Sequence, residues 1–336
     1  MKALITGATG FVGGALARRL HGLGWQVVGL GRNWEAGKQL AAAGITFLPG
    51  DLRDAATIAA ACRGREIVFH CGARAAPWGH ASDFYADNVV GTQNILAGCR
   101  EANVGRLVHV STPSIYFDLR GPMAVRLNVA EDAPLPLRAA NAYVQTKRLA
   151  EQLVDQAHQE GMPVITLRPR AIFGPGDTAI LPRLLTRLRT GRLAVIGDGR
   201  NLTDLTYIEN VVDALLCCAE SPANTFGKKY NLSNDEPVLL WEMVRRLCTT
   251  LNYPFPQRRF SFAAAYLLAW GMEMIWARLP GYPEPPLTRY TVGVLAHSAT
   301  LDVSAARREL NYTPRVSVEE GFARYLNTQR SAACPT

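Results

Sequence analysis

Two side chains in the segment NAYVQTK are suited to proton transfer. Tyr143 and Lys147 lie four residues apart, a spacing that places both on one face of a helix. A neighbouring ammonium favours the phenolate, so we expect Lys147 to lower the pKa of Tyr143 towards a range useful for acid–base catalysis. An earlier predicted strand ends in VHVSTPSIY, where Ser111, Thr112 and Ser114 offer hydroxyls that could hold a substrate oxygen.

A glycine-rich turn near the start of the chain is suited to phosphate binding. Gly7, Gly10 and Gly13 lie in TGATGFVG, between a predicted strand over 2–6 and a predicted helix over 11–22. Glycine has no Cβ, so backbone N–H groups at a helix start can approach a pyrophosphate closely. Because the turn opens a βαβ unit, the context predicts a dinucleotide site.

The end of the second predicted strand, VVGLGRN, bears on which dinucleotide binds. Gly31 occupies the position where a carboxylate would accept the ribose hydroxyls of NAD, and Arg32 follows it. Arg32 would suit the 2′-phosphate of NADP, although it could also be a solvated loop residue. The sequence therefore favours NADP(H) over NAD(H). Asp51, in PGDLRD, could cap a helix, hydrogen bond the adenine amine, or do both.

Short apolar runs alternate with helical stretches over the first half of the chain, which predicts an α/β fold with a Rossmann-type, doubly wound parallel sheet. The predicted strands cover residues 2–6, 26–30, 45–48, 67–70, 106–111 and 164–168. The predicted helices cover residues 11–22, 33–43, 54–62, 84–102 and 142–160.

The alternation ends at the proline- and glycine-rich segment RPRAIFGPGD, and the later sequence is mostly helical. We predict a dinucleotide-binding domain over 1–170, to which 202–232 returns. Residues 171–201 and 233–326 are expected to form a smaller, mostly helical substrate domain. The polar residues 327–336 are predicted to be a flexible tail.

The composition restricts the class of protein. Of the 336 residues, 48% are hydrophobic, which predicts an extensive core and excludes general disorder. The net charge of +8 comes from scattered arginines and indicates attraction for anionic ligands, with no nucleic-acid binding expected. The seven cysteines lack metal-ligand spacing, so we expect reduced thiols, no metal site and a cytoplasmic protein.

The segment FSFAAAYLLAWGMEMIWARL, residues 260–279, is unusually apolar, and Glu273 and Arg278 are its only charges. A packed helix or a pocket lid is the favoured interpretation. Peripheral contact with a membrane surface is the alternative, and Gly271 and Glu273 argue against a transmembrane helix.

Together these motifs resemble the extended short-chain dehydrogenase/reductases of the NAD-dependent epimerase/dehydratase superfamily, over nearly the whole chain. TGATGFVG is similar to the family's glycine turn, GDLRD to its adenine-side acid, DNVVGTQNIL to its fourth helix and YVQTK to its catalytic pair. LRPRAIFGPGD and DLTYIENVVDAL resemble the branch of 3β-hydroxysteroid dehydrogenases, sterol-4-carboxylate dehydrogenases and 2-alkyl-3-ketoacid reductases.

The resemblance implies a role for each residue of the site. Tyr143 would be the general acid and base, and Lys147 would bond the nicotinamide ribose and tune the tyrosine. Thr112, four residues before Tyr116, would be the catalytic hydroxyl, with Ser111 as the near alternative. Besides the catalytic pair, the cofactor is expected to contact Gly7, Thr9, Gly10, Phe11, Val12, Gly13, Arg32, Asp51, Leu52, Cys71, Gly72, Ala73, Asn88 and Pro169. The expected substrate contacts are Ser111, Ser114, Trp78 and Arg170.

Two departures from related patterns narrow the expected activity. Pro113 and Ser114 stand where dehydratases carry an acidic pair, which disfavours sugar dehydration. Ala171 stands where many nucleotide-sugar epimerases carry asparagine, which disfavours a nucleotide sugar.

The expected protein is an oxidoreductase that moves a hydride between NADP(H) and a hydrophobic, steroid-like or fatty-acyl-derived 3-hydroxy or 3-keto substrate. A nucleotide-sugar epimerase or dehydratase and a non-catalytic cofactor-binding protein are the alternatives. The resemblance also implies a homodimer through the helices over 84–102 and 142–160.

Overall fold

The computed structural model describes residues 1–119 and 124–333. In chain order, its strands are β1 (Lys2–Thr6), β2 (Gln26–Gly31), β3 (Thr46–Pro49), β4 (Ile67–His70), β5 (Arg106–Val110), β6 (Arg126–Val129), β7 (Val164–Pro169), β8 (Ile172–Phe173), β9 (Val195–Ile196), β10 (Leu202–Thr203), β11 (Thr206–Tyr207), β12 (Lys229–Leu232), β13 (Val238–Leu239), β14 (Arg259–Phe260) and β15 (Ala299–Leu301).

Helices flank these strands along the whole chain. They are α1 (Phe11–Gly22), α2 (Trp34–Ala42), α3 (Ala55–Cys62), α4 (Ala81–Phe84), α5 (Gly91–Glu101), α6 (Ala142–Gln159), α7 (Leu181–Arg189), α8 (Ile208–Glu220), α9 (Leu240–Leu251), α10 (Phe262–Trp276), α11 (Arg289–Ala296), α12 (Ser304–Leu310) and α13 (Val318–Ala333). A π-helical turn covers Tyr85–Val90, and 3₁₀ turns cover Pro113–Tyr116 and Ala223–Thr225.

The main sheet has seven parallel strands in the spatial order β3-β2-β1-β4-β5-β7-β12. The predicted α/β class with a Rossmann-type sheet is confirmed. The strand order reverses between β1 and β4, so the loops that follow these two strands diverge and leave a crevice. Ligands of such sheets bind at this point, outside the carboxyl ends of the strands.

The helix predicted over 84–102 is divided in the structure. The short α4 is followed by the π-helical turn, and only then by α5. The extra residue of a π-turn shifts the helical phase, so periodicity alone could not locate it. Asp87 and Asn88, both in this turn, are buried and point their side chains into the site described below.

The second half of the chain does not divide cleanly from the first. Strand β6, from the first half, pairs with β15 in a four-stranded sheet of order β13-β10-β15-β6. Strand β12 returns to the main sheet beside β7, and α8 packs against α1. The two halves therefore share strands, and the crevice lies under the small sheet's loops and α11.

Helix α10 carries the apolar segment found in the sequence. It buries Ala265, Ala269 and Glu273 against the protein, and Glu273 accepts hydrogen bonds from Arg289 at the start of α11. Its large apolar side chains instead face solvent, among them Leu267, Leu268, Trp270, Met274 and Ile275. Within the described residues, no helix is both long and apolar enough to cross a membrane. A pocket lid and membrane-surface contact both stay predictions.

The chain ends in a helix rather than at the expected boundary. Helix α13 continues past Asn327, where the flexible tail was predicted, and ends at Ala333. The last predicted tail residues, 334–336, lie outside the described part of the chain.

Candidate active site

The glycine turn has the shape that a dinucleotide pyrophosphate requires. Gly7 has a φ of +67°, and a Cβ there would lie 2.7 Å from the Cα of Gly72. A Cβ on Gly13 would lie 2.4 Å from the carbonyl oxygen of Gly7. Gly10 is the N-cap of α1, so no side chain covers the first N–H groups of the helix. These N–H groups, at the positive end of the helix dipole, fit a bound phosphate.

The expected contacts around the turn lie at the adjacent strand ends. Gly72 follows β4, and its N–H donates to the hydroxyl of Thr6 at 3.1 Å. The Leu52 side chain lies next to the backbone of Gly72 and Gly91. Cys71, the residue before Gly72, is buried, and burial raises the pKa of its thiol to about 12. Thr9, Phe11, Val12 and Ala73 complete this edge, while Pro169 lies at the end of β7, paired with Leu232.

Gly31, at the end of β2, lies against the side chain of Thr9 in the glycine turn, which leaves little room for a side chain at this position. A Cβ on Gly31 would lie 2.4 Å from the hydroxyl oxygen of Thr9. Any side chain at this position would therefore collide with the turn, and a carboxylate for the ribose hydroxyls is excluded. The next residue, Arg32, extends into the crevice with its side chain 54% exposed.

Arg32 is one of several cations around two acids. Its Nη1 lies 3.4 Å from both carboxylate oxygens of Asp87 and 3.8 Å from Asp51. Arg53 donates to Asp51 through its backbone N–H, its Nε and its Nη2, which holds the pKa of Asp51 below its usual value. Arg53 is half exposed, so two guanidinium groups line this end of the crevice.

The capping role considered for Asp51 is wrong. Helix α3 is capped by Asp54, whose carboxylate accepts from the N–H groups of Ala56 and Thr57. Asp51 lies before this cap and is held by Arg53 instead. Its expected contact with the adenine amine stays a prediction.

Tyr143 and Thr112 meet at the carboxyl edge of the sheet. Tyr143 lies in the first turn of α6, which Asn141 caps by accepting from Val144 N–H at 2.9 Å. Thr112 follows β5, and its hydroxyl acts on the Tyr143 phenol. Burial raises the pKa of Tyr143, and the Thr112 hydroxyl only partly offsets the effect. The expected lowering of its pKa by Lys147 is therefore wrong, because burial dominates and the ammonium is bound elsewhere.

Lys147 is buried one turn along α6 from Tyr143. Its ammonium donates to the carbonyl of Val110 at 2.8 Å and lies 3.4 Å from Nε2 of His109. Burial lowers the pKa of Lys147 to about 8, although the carboxylate of Glu151 acts in the opposite direction. The lysine is thus held at the end of β5 and titrates within the physiological range.

This shift predicts a pH-dependent stability that Lys147→Met removes. An unfolded lysine keeps its ordinary pKa of 10.5, so between about pH 8 and 10.5 the unfolded chain binds more protons than the folded one. Folding stability at this site therefore rises with pH. From about pH 7 to 9.5, the unfolding free energy of the wild type should rise by about 2 kcal/mol relative to Lys147→Met in urea titrations. A constant difference would contradict the assigned pKa.

Glu151, Arg168 and Tyr116 form a buried polar cluster behind the lysine. Arg168 donates to Glu151 through Nε at 2.9 Å and Nη2 at 2.6 Å, and it also bonds the Tyr116 hydroxyl. Burial by itself would raise the pKa of Glu151, but Arg168 holds it below the ordinary value. The Ser111 hydroxyl lowers the pKa of Glu151, but it is buried without a hydrogen-bond partner among the described residues.

Asn88 fixes the loop that follows β4. Its side-chain oxygen accepts from the N–H of Arg74 at 2.7 Å, and its amide donates to the Arg74 carbonyl and to Thr146 on α6. Asn88 thus ties the π-helical turn to both the loop and the helix that carries Tyr143.

The expected substrate residues lie on two sides of the site. Ser114 shares a 2.9 Å hydrogen bond with Tyr290 of α11, and Arg170, just after β7, is buried nearby. Trp78 lies in the loop after β4 and stacks on Tyr282 with a ring separation of 4.9 Å. The loop over 72–80 therefore contacts the loop between α10 and α11, which carries Tyr282.

Several site residues escaped the sequence interpretation. Arg53 stands two positions after Asp51, and a basic residue there was a usable signal. Glu151 lies four residues after Lys147, which places it on the same helix face. His109 had no local signal, because only the packing of α6 against the end of β5 brings it beside Lys147.

A family model described as the NAD dependent epimerase/dehydratase family matches residues 3–233. The 2-alkyl-3-oxoalkanoate reductase of Stenotrophomonas maltophilia is 38% identical over 96% of this chain and 98% of its own length. An Arabidopsis thaliana 3beta-hydroxysteroid-dehydrogenase/decarboxylase is 33% identical over 87% of this chain and 68% of its own length.

Solved structures share the whole fold at low identity. The UDP-glucose 4-epimerase of Thermotoga maritima, with UDP-glucose, gives a TM-score of 0.79 at 18% identity, covering 99% of this chain and 100% of that chain. The UDP-glucuronic acid 4-epimerase of Bacillus cereus, in complex with NAD, gives 0.76 at 22% identity with the same coverage.

Proposed function

The chain belongs to the NAD dependent epimerase/dehydratase family, and on that premise we propose the reaction of its site. The protein is an NAD(P)-dependent oxidoreductase that interconverts a secondary alcohol and a ketone. Its substrate is hydrophobic, steroid-like or fatty-acyl-derived, with the reacting oxygen on carbon 3. The observation that carries the proposal is the placement of Tyr143, at the start of α6, beside Thr112 at the end of β5, with Lys147 one helical turn away.

The protein's own residues handle the substrate oxygen and its proton. When bound, the nicotinamide cofactor supplies or accepts the hydride. In ketone reduction, Thr112 donates a hydrogen bond to the substrate oxygen and Tyr143 donates its phenolic proton to that oxygen. The raised pKa of Tyr143 keeps the phenol protonated at neutral pH, so the acid is ready for this step. Lys147 adds positive charge behind the tyrosine as charge develops.

Sugar epimerisation or dehydration is the weaker candidate. The epimerase structures support the fold alone, at identities of 18% and 22%. Pro113 and Ser114 supply neither of the acids expected for dehydration, and the Ser114 hydroxyl is bonded to Tyr290. A non-catalytic role is disfavoured because Tyr143, Thr112 and Lys147 are all present and lie together at the carboxyl edge of the sheet.

We also propose that the cofactor is NADP(H), held at its 2′-phosphate by Arg32 and Arg53. Both guanidinium groups line the adenine end of the crevice and are about half exposed. Their present partners, Asp51 and Asp87, hold them in place without covering them. A phosphate between two guanidinium groups forms charge-assisted, bidentate hydrogen bonds. Gly31 supports the same choice, since its position supplies no carboxylate to accept the ribose hydroxyls of NAD.

Cofactor oxidation by the purified protein tests both proposals. The wild type should oxidise NADPH with 3-keto acids or 3-ketosteroids and leave nucleotide sugars unchanged. Arg32→Ala should weaken NADPH binding about tenfold or more, measured by fluorescence titration, and NADH binding much less. Arg63→Ala, at an exposed arginine paired with Glu101, is the matched control. Equal losses for NADPH and NADH would refute the 2′-phosphate assignment.

A further inference from the structure

Arg170 is a buried cation close to the reacting centre. Its residue is only 6% exposed, and its guanidinium lies 4.3 Å from the ring centre of Phe117. Burial of an arginine without an anion costs several kcal/mol, so such a group normally has a carboxylate or several carbonyl partners.

The described residues do not supply that partner. No carboxylate among them lies within ion-pair distance of the Arg170 guanidinium, and Nε of Arg170 has no hydrogen-bond acceptor there. Asp204 is the carboxylate that interacts electrostatically with Arg170. One of its oxygens accepts from the N–H of Leu301 at 2.6 Å, and burial raises its pKa to about 6. Asp204 is thus a weak and distant counter-ion.

The position of Arg170 connects it to the catalytic residues. The Tyr290 hydroxyl bonds Ser114, and the rings of Tyr290 and Tyr143 both pack against the group of buried residues that includes Phe117, over which Arg170 lies. A narrow recess beside Arg170 is lined by Phe117, Asp118 and His297 among others. Nε2 of His297 also lacks a hydrogen-bond partner among the described residues. Arg170 and His297 therefore each bring to this recess a nitrogen without a hydrogen-bond partner there.

We propose that Arg170 binds a carboxylate of the substrate and determines the specificity of the enzyme for 3-oxo and 3-hydroxy acids. This inference rests on the proposed function and narrows it. A substrate carboxylate would accept charge-assisted hydrogen bonds from the Arg170 guanidinium, and the His297 imidazole can donate a further hydrogen bond to it. The same contact holds the ketone oxygen towards Tyr143 and Thr112, so the arginine orients the substrate as well as selecting it.

The test compares an acid with its own ester. A 2-alkyl-3-hydroxy acid and its methyl ester are oxidised with NADP⁺ by the wild type, Arg170→Met and Arg170→Lys. The wild type should favour the acid about 100-fold or more in kcat/KM. Arg170→Met should remove most of this preference, chiefly through the KM of the acid, and Arg170→Lys should retain part of it. Arg106→Met is the control, because this partly buried arginine donates to the carbonyl of Ser221 away from the site.

Each result has one interpretation. Equal use of acid and ester by the wild type, or equal losses for both in Arg170→Met with NADP⁺ binding intact, would overturn the inference. If the wild type oxidises neither compound, the proposed function fails. Calorimetric binding of the acid to the NADP⁺-loaded protein then still tests Arg170, because binding should weaken in Arg170→Lys and more so in Arg170→Met. If Arg170→Met does not fold, Arg170→Lys is used for both the acid–ester comparison and the binding measurement.

Discussion

Tyr143→Phe should reduce turnover about 10³-fold or more while leaving NADPH binding nearly intact. In the proposed reaction the phenol donates the proton to the substrate oxygen, and its burial keeps it protonated. Phenylalanine fills the same space but carries no proton, so the loss should appear in kcat rather than in cofactor affinity. Initial rates of NADPH oxidation and a fluorescence titration with NADPH separate the two quantities.

Two other tyrosines provide controls for this result. Tyr253 packs against buried side chains of α9, among them Trp241 and Val244, and makes none of the site contacts described above. Tyr253→Phe should therefore change kcat less than about threefold. Tyr290 lies beside Tyr143 and bonds Ser114. If Tyr290→Phe abolished turnover while Tyr143→Phe kept most of it, Tyr290 would be the acid and the proposed mechanism would be wrong.

Glu151→Gln should lower the free energy of unfolding by about 3 kcal/mol or more, because it leaves the Arg168 guanidinium buried without its carboxylate. The side chains of this pair are only 5% and 3% exposed. The same change removes the acid that raises the pKa of Lys147, so the lysine should lose its proton at a lower pH. Urea titration measures the stability, and the alkaline limb of the pH–rate profile measures the lysine.

Glu101→Gln is the matched control for this substitution. Glu101 pairs with Arg63 at 3.2 Å, but both side chains are more than half exposed. An exposed pair contributes about 1 kcal/mol or less, so this variant should remain close to the wild type in stability. Similar losses in Glu151→Gln and Glu101→Gln would show that burial of the first pair has no energetic consequence.

The parts of the fold that local sequence encodes were predictable. Strand β1, the turn with Gly7 and Gly13, and helix α1 follow from hydrophobic period and from the steric freedom of glycine. The Tyr143–Lys147 spacing was equally local, because α6 places both side chains on one face. The break at Tyr85–Val90 was not predictable, since a π-turn changes the helical phase without a distinctive residue pattern.

The amino-acid sequence by itself determined the class of sheet, the turn that fits a dinucleotide and the candidate residues for proton transfer, Tyr143 and Lys147. Each of these depends on neighbours within a few positions of the chain. Only the tertiary structure decided the charge states and the partners. Burial raises the pKa of Tyr143, Arg53 takes hold of Asp51, and Arg170 remains buried without a close carboxylate. These properties depend on desolvation and on contacts between segments far apart in sequence, so no local pattern records them.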